Sequence, residues 1–560
     1  MTRSYLRRPG ALRRAGHRIA NLIRPGVDIV PAPDVRADYD VAVPVRDGTV
    51  LRINVFHPDS AGPHPVIMSA HPYGKDRVPA HGRNRRAVSG QYRLMPQPAR
   101  VRFSELTSWE APDPLIWTAH GFVVVNADLR GGGTSEGVGS LFTDTEAQDY
   151  YDLIEWVAAQ PWCTGRVGLD GVSYLALSQY RVAALRPPHL AALCVWEGFS
   201  DFYRDFAYPG GVREDGFSVF WSKATSREAR VTDDIRAEIL RRPDRDDWYA
   251  DRTPDLARIT VPMLVCASFS DHSLHSRGSF EAFRRAGSER KWLYTHRDGK
   301  WSHYYGPEAT AERIRFFDHV LRDVDNGWDT RPAVRIAVHE QGPHPTEIHY
   351  ADDWPPRDVE TTTLHLRADG LLSDDAGPAD GQRSFRSRGR PLAWTWTAPT
   401  DLDILGASAL HLHVSLADAE DLNLFAVLRK FRNGREICFE GSYGFNADVV
   451  TKGWQRLAHQ TLDPALSTPL QPVHTHHKPE PLTPGHPTPI DLALLPHATR
   501  LRRGEQLRLE LSGRWPFARD PLRGQFPAWY RQSPNTACAI HTGPGTPSAL
   551  TLTWRPVASN

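Results

Sequence analysis

The sequence predicts an α/β fold, a mainly parallel sheet covered by helices and interrupted by a helical cap, followed by a separate all-β domain. Three observations carry this reading. Short apolar runs without alternation recur before residue 330, as expected of strands buried on both faces. Segments with helical spacing lie between them, the rhythm of a parallel sheet. Beyond about residue 330 the pattern changes to alternating strands separated by proline-rich loops, which points to a sandwich or jelly-roll.

Residues 1–37 form a basic extension, and its first 24 residues hold seven arginines (Arg3, Arg7, Arg8, Arg13, Arg14, Arg18 and Arg24). Leu12, Ala15, Ile19 and Leu22 recur there at helical spacing, so the segment predicts a short amphipathic helix, resting on the protein's own surface or on a membrane. No apolar core of a secretory signal follows it. A hairpin comes next, with strands at 39–45 and 50–56 around the turn Arg46-Asp47-Gly48-Thr49. Buried strands are expected at 65–70, 121–128, 166–170, 261–267 and 291–295, and helices at 147–160, 177–185, 278–285 and 308–321. Aromatic and charged helical stretches break the rhythm at 198–258 and read as the inserted cap. The α/β domain therefore comprises 38–197 and 259–330, and the β-domain 331–560, with strands at 361–366, 409–416, 424–429 and 507–511. The proline- and histidine-rich stretch 467–488 reads as a long surface loop.

Composition excludes several functions. Lys+Arg total 67 against 66 Asp+Glu, so there is no whole-protein field to steer nucleic acid, and no apolar run approaches the ~18 residues a bilayer span needs. The five cysteines are scattered without a C-x-x-C pair, which favours a reduced, cytoplasmic setting over disulfides or a thiolate metal site. His474, His476 and His477 lack carboxylate or cysteine partners at ligand spacing, and Gly131-Gly132-Gly133 is not followed by Lys-Ser/Thr. No metal, nucleotide or other cofactor is expected.

The sharpest local signal is Val167-Gly168-Leu169-Asp170-Gly171-Val172-Ser173-Tyr174-Leu175-Ala176, a short strand meeting a helix through a G-x-S turn. This is the geometry of a nucleophile elbow: the turn thrusts the Ser173 hydroxyl out of the sheet, small neighbours such as Gly171 and Ala176 fit beside it, and the first helical amides face developing negative charge. A serine needs a base, and the base an orienting acid, in the order Ser, Asp, His. Asp271 stands just past the strand at 261–267. After the strand at 291–295 come His296 and, farther along the loop, His303; either is a candidate base, and His296, at the strand end, is preferred. Glu197, Asp201, Asp205, Glu214 and Asp215 read as a solvated cap face, with recognition of a substrate ammonium as the other reading.

With these residues in place the sequence, over residues of about 40 to 555, resembles the CocE/NonD serine hydrolases, which are cocaine-esterase-like and X-Pro dipeptidyl-peptidase-like. The resemblance rests on Val45-Arg46-Asp47-Gly48-Thr49, His71-Pro72-Tyr73-Gly74-Lys75-Asp76, the run from Asp128 through Gly131-Gly132-Gly133 to Gly137, Trp162-Cys163, Gly171-Val172-Ser173-Tyr174 and Ser270-Asp271. Arg503-Gly504-Glu505-Gln506-Leu507-Arg508-Leu509 and His541-Thr542-Gly543 resemble its C-terminal jelly-roll. The resemblance implies an α/β-hydrolase domain with a helical cap, Ser173 as nucleophile, Asp271 as orienting acid, and an oxyanion hole formed by the Tyr73 hydroxyl and the Tyr174 amide. It departs from the family pattern at Ala176, where glycine is usual, and at Phe269-Ser270, where tryptophan and tyrosine are common, so the pocket wall differs. The expected reaction is hydrolysis of small esters or amides through an acyl-enzyme. Release of X-Pro dipeptides, or a binding role for the β-domain with no catalysis, are the alternatives. A homodimer is possible on the cap and β-domain surface.

Overall fold

The structure, a computed structural model, describes residues 11–81, 88–272, 274–442, 447–519, 525 and 527–557. The first ten residues of the basic extension lie outside them.

A ten-stranded sheet organises the first part of the chain. Its strands, in chain order, are β1 (Arg36–Pro44), β2 (Val50–His57), β3 (His64–His71), β4 (Val123–Asp128), β5 (Cys163–Val172), β6 (Leu190–Trp196), β7 (Met263–Ser268), β8 (Lys291–His296), β9 (Val334–Val338) and β10 (Glu347–Ala351). In space they run β10-β9-β8-β7-β6-β5-β3-β4-β2-β1. The hairpin β1–β2 is antiparallel, with Pro44 opposite Val50, and β9–β10 closes the other edge in the same manner. From β4 across to β9 every pairing is parallel. The apolar runs expected to be buried on both faces are so: Val123 to Asp128 and Met263 to Ser268 are buried throughout.

The sheet extends past the boundary expected at residue 330, because β9 and β10 complete it. The basic extension also contributes structure before residue 38, since strand Val27–Val30 pairs in parallel with Val101–Ser104. The helices include α1 (Ala11–Ile23), α2 (Gly90–Leu94), α3 (Asp144–Ala158), α4 (Tyr174–Ala184), α5 (Phe217–Glu228), α6 (Ser276–Arg285), α7 (Lys300–Tyr304) and α8 (Pro307–Arg322), of which α1, α3, α4, α6 and α8 fall close to where their spacing places them. The insertion between β6 and β7 is helical, with α5 and the shorter helices Ile235–Arg241 and Asp247–Ala250.

The acidic residues expected on a solvated cap face are instead largely buried and paired. Asp201 accepts from Arg204, Asp205 from Arg277, and Asp215 from Arg213 and Arg236. The Glu214 carboxylate caps the start of α5, accepting from the amides of Phe217 and Ser218.

The C-terminal part is two antiparallel sheets around an apolar core that includes Leu410, Leu428, Leu509 and Ile540. One is built on the long strand Leu402–Leu416 and the other on Asn423–Arg432. Much of the stretch 467–488, including 483–487, is exposed as expected, but its middle, 471–474 with His476, turns inward. His474 and His476 are buried, and they line a cavity of about 80 Å³ with Arg204 and Trp454. His474 is drawn in because its carbonyl accepts two hydrogen bonds from the buried Arg204 guanidinium of the cap.

Two buried arginines tie these layers together. Arg313 of α8 donates to Asp170 of β5 at 2.5 Å and lies over the Tyr304 ring, anchoring the strand that leads into the elbow. Arg297, just after β8, donates to Ser270 and to the carbonyls of Val449 and Val450, and stacks on Phe439 of the C-terminal domain. Arg313→Ala would leave the Asp170 carboxylate buried without its counter-charge. The expected loss is about 3–5 kcal/mol of unfolding free energy, read by denaturant titration, with partial recovery in the Asp170→Asn/Arg313→Leu double variant.

Candidate active site

Parallel strands deliver the site at their C-terminal edge, where open α/β sheets bind ligands. Ser173 follows β5 with φ 63°, a left-handed conformation that costs a non-glycine residue ~1–3 kcal/mol and is held only by its surroundings. Two constraints impose it. The Ser173 amide donates to the Trp196 carbonyl of β6, and α4 begins at the very next residue. Gly171 must lack a side chain, since a Cβ there would lie 2.5 Å from the Leu175 side chain. The Ala176 methyl fits because residue 198 is glycine: a Cβ there would lie 2.8 Å from it.

The hydroxyl of Ser173 lies 3.0 Å from His275 Nε2, and His275 Nδ1 faces the carboxylate of Asp271 in a short hydrogen bond. With Ser173 donating to Nε2, the ring's proton sits on Nδ1 and is donated to Asp271. Asp271 stands in the loop after β7, and His275 is the N-cap residue of α6. Both precede the first helical residue, Ser276, so the hydrogen bond between them, rather than helical spacing, brings the two side chains together.

This corrects the expectation of His296 or His303 as the partner of Ser173. His296 Nε2 donates to Glu197 at 3.0 Å and its Nδ1 accepts from the Asp298 amide. His303 stacks on His296 with ring centroids 4.4 Å apart, and its Nε2 meets the Tyr294 hydroxyl. Both rings are therefore committed to a buried network beside the site. His275 was legible in principle as the Asp-x-x-x-His spacing that opens α6. It was missed because the base was sought only after the next strand.

Lys300 completes the cluster. Its ammonium is buried, 2.9 Å from both Asp271 Oδ2 and His275 Nδ1 and 3.7 Å from Glu197. Since Nδ1 carries the ring proton, the ammonium's hydrogen bond goes to the carboxylate while its charge acts on the ring. Burial pushes the Lys300 proton affinity down, but Asp271, Glu197 and Glu110 outweigh it and hold the proton on. Burial alone would raise Asp271; His275 and Lys300 instead draw it well below the usual carboxylate range. Burial lowers His275, and Lys300 lowers it further against the pull of Asp271. Glu197, Asp271 and His275 also group like metal ligands, but the Lys300 ammonium already supplies the positive charge among them.

Tyr73 follows β3 and is held by its own amide donating to His71 Nδ1. Its phenol oxygen accepts from Trp221 Nε1 at 2.8 Å, which leaves the phenol proton to donate into the site. Burial, with Glu110 nearby, keeps that phenol protonated far above its ordinary range. Tyr174 provides the first amide of α4, one of the N-terminal N–H groups without a partner inside the helix. Ser173, Tyr73, Glu110, Trp221, Lys300 and Trp301 line a cavity of about 40 Å³. Tyr73, Gln91, Trp109 and Glu228 continue it into a groove of about 470 Å³.

The glycine triplet serves this edge rather than a phosphate. Asp128, at the end of β4, accepts from the amides of Lys75 and Thr134, wrapping the loop around its carboxylate. Gly133 has φ +44° there, and a Cβ would fall 2.0 Å from that carboxylate.

Comparison with known proteins places this geometry. The profile of the X-Pro dipeptidyl-peptidase (S15) family matches residues 47–305, and that of the X-Pro dipeptidyl-peptidase C-terminal non-catalytic domain matches residues 326–551. A crystal structure of a CocE/NonD family hydrolase from Staphylococcus aureus is 34% identical, covers 93% of this chain and 94% of its own, and superposes with a TM-score of 0.87. The chain belongs to the CocE/NonD hydrolase family. Cocaine esterase from Rhodococcus is 26% identical over 61% of this chain, and the match spans 65% of that enzyme's length. An α-amino acid ester hydrolase shares the fold at 16% identity, with a TM-score of 0.68 over 94% of this chain and 98% of its own. Membership in the CocE/NonD family carries the reaction class, serine-dependent hydrolysis of ester or amide bonds, on an α/β-hydrolase fold with a C-terminal non-catalytic domain.

Burial raises Glu110 to about 7 even though Lys300 and Trp301 favour its anion. A carboxyl whose pKa is higher folded than unfolded contributes stability that is present below the unfolded value, near 4.5, and is lost as pH rises through the folded one. Glu110→Gln is therefore expected to flatten the decline of unfolding free energy between about pH 5 and 7, by roughly 1–3 kcal/mol, in denaturant titrations run across that range.

Proposed function

We propose that the protein hydrolyses ester or amide bonds of small acyl substrates, with Ser173 as nucleophile, His275 as general base and Asp271 as the group that orients it. The observation that carries this reading is the relay from Ser173 Oγ through the His275 ring to Asp271. His275 Nε2 takes the hydroxyl proton as Ser173 Oγ attacks the carbonyl carbon. The Tyr73 hydroxyl and Tyr174 amide hold the resulting oxyanion, a contribution of the kind worth ~10²–10³-fold per donor. The imidazolium then returns the proton to the leaving alcohol or amine, and water, deprotonated by the same nitrogen, releases the acid. No cofactor enters any step.

Glu228, which lines the cavity beside Ser173 and pairs with Arg77, supports a second reading, an X-Pro dipeptidyl-peptidase, because a carboxylate there suits a substrate's free amine. The strained, hydrogen-bonded serine favours catalysis over a purely binding role for the C-terminal domain, which we read as a jelly-roll. Among the described residues no helix is long and apolar enough to cross a membrane. Among the described residues no two cysteines form a disulfide, which supports a reducing, cytoplasmic setting.

Labelling with a fluorophosphonate tests the assignment. Wild type is expected to label at Ser173 and Ser173→Ala not at all; His275→Ala should slow labelling by at least ~10²-fold, while His296→Phe, if folded, should retain it. Loss in His296→Phe with retention in His275→Ala would reverse the roles. Aryl esters and X-Pro anilides then separate the two substrate readings.

Lys300 sets the basicity of His275 in this scheme. Facing that ring are Asp271 from the loop after β7, Lys300 from α7 and Glu197 from the end of β6, with Glu110 behind Lys300. Removing the positive charge raises the proton affinity of the ring. Lys300→Met is thus expected to move the acid limb of the kcat/KM profile to higher pH, a shift that a purely structural role would not produce.

A further inference from the structure

The N-terminal helix α1 is turned the opposite way from an ordinary surface helix. The face it packs on the protein is polar: Arg18 and Asn21 are only 6% and 8% exposed. Asn21 Nδ2 donates to the carbonyls of Tyr92 and Arg93, and Arg93 in turn donates to the carbonyls of Leu22 and Ile23 at the helix end. The apolar face is left in water. Leu12, Ile19 and Ile23, spaced by seven and four residues and so aligned in one stripe, are 90%, 48% and 77% exposed, with Leu22 beside them at 40%. Leu94, at the end of the helix α2 on which α1 rests, is exposed as well.

The charge says what covers this stripe. Residues 1–26 contain seven arginines and no aspartate or glutamate, so the rest of the chain carries fewer basic than acidic side chains. Arg24, directly after the stripe, is exposed. An apolar stripe on a segment rich in arginine and free of acids matches the interface of an anionic bilayer, where apolar side chains enter the headgroup boundary and each arginine gains from the surface potential. A nucleic acid would use the charge but not the stripe, and a second copy of this chain would bring like charge against like.

We propose that α1 is a membrane-surface anchor that docks the folded protein on anionic lipid through Leu12, Ile19, Leu22 and Ile23. Because Gln91 and Tyr92 of α2 line the groove toward Ser173, docking through α1 sets that groove beside the bilayer.

Co-sedimentation of the full chain with vesicles tests this independently of any activity. Binding is expected to equimolar phosphatidylcholine and phosphatidylglycerol but not to phosphatidylcholine alone, and to weaken as salt rises. Ile19→Asp/Ile23→Asp alters two exposed side chains, so its melting temperature should match wild type while its partition onto the anionic vesicles falls at least about tenfold. The proposal is overturned by no sedimentation with either vesicle, by equal binding to neutral vesicles, or by unchanged binding of the double variant. A lipid-free dimer in light scattering that the same variant dissolves would also overturn it, by assigning the stripe to a second copy.

Discussion

A single buried ammonium governs the arrangement of the site. Removing Lys300 from water is tolerable only because Asp271 and Glu197 meet it, and those carboxylates come from the ends of two different strands. Their burial in turn fixes His275 against Asp271 and His296 against Glu197. Each of these charges would be costly alone, so the cluster assembles as a unit or not at all, and the His275 ring that meets the Ser173 hydroxyl is positioned as a by-product of charge balance.

The elbow adds a second, steric constraint. Ser173 keeps a conformation that it would not choose in isolation, held between the Trp196 carbonyl and the start of α4, with Gly171 clearing space for Leu175. The strand beneath is pinned by the Arg313–Asp170 pair, which places the rigid part of the sheet directly under the strained residue. Strain and rigidity are thus adjacent along one strand, as expected where a backbone outlier must be over-determined by its surroundings.

Local pattern revealed much of this in the sequence. Buried strands, the hairpin and the G-x-S turn are each encoded within about ten residues, and their physical causes are local as well. The pairing of Ser173 with His275 rather than His296 left only a weak local mark, the Asp-x-x-x-His spacing ahead of α6, because the choice depends on which loop side chains the charges of Glu197 and Lys300 draw aside. The burial of His474 and His476 was hidden for a similar reason: a proline-rich stretch looks solvated until a distant arginine claims its carbonyl. The last two strands of the sheet, Val334–Val338 and Glu347–Ala351, lie past residue 330 and are joined without a helix between them, so the strand-helix rhythm that marks the earlier strands does not announce them.

The C-terminal domain, non-catalytic in its profile, reaches into the chemistry. Ser442 donates to Glu197, bonds the Ser268 hydroxyl at the end of β7, and offers its carbonyl to the Lys300 amide, while Arg297 grips the carbonyls of Val449 and Val450. The two halves of the chain are therefore one inheritance. A recombinant hydrolase cut at the junction would surrender part of its own site, and a chimera that exchanged the C-terminal half would have to bring a hydroxyl to position 442 and a matching backbone at 449–450.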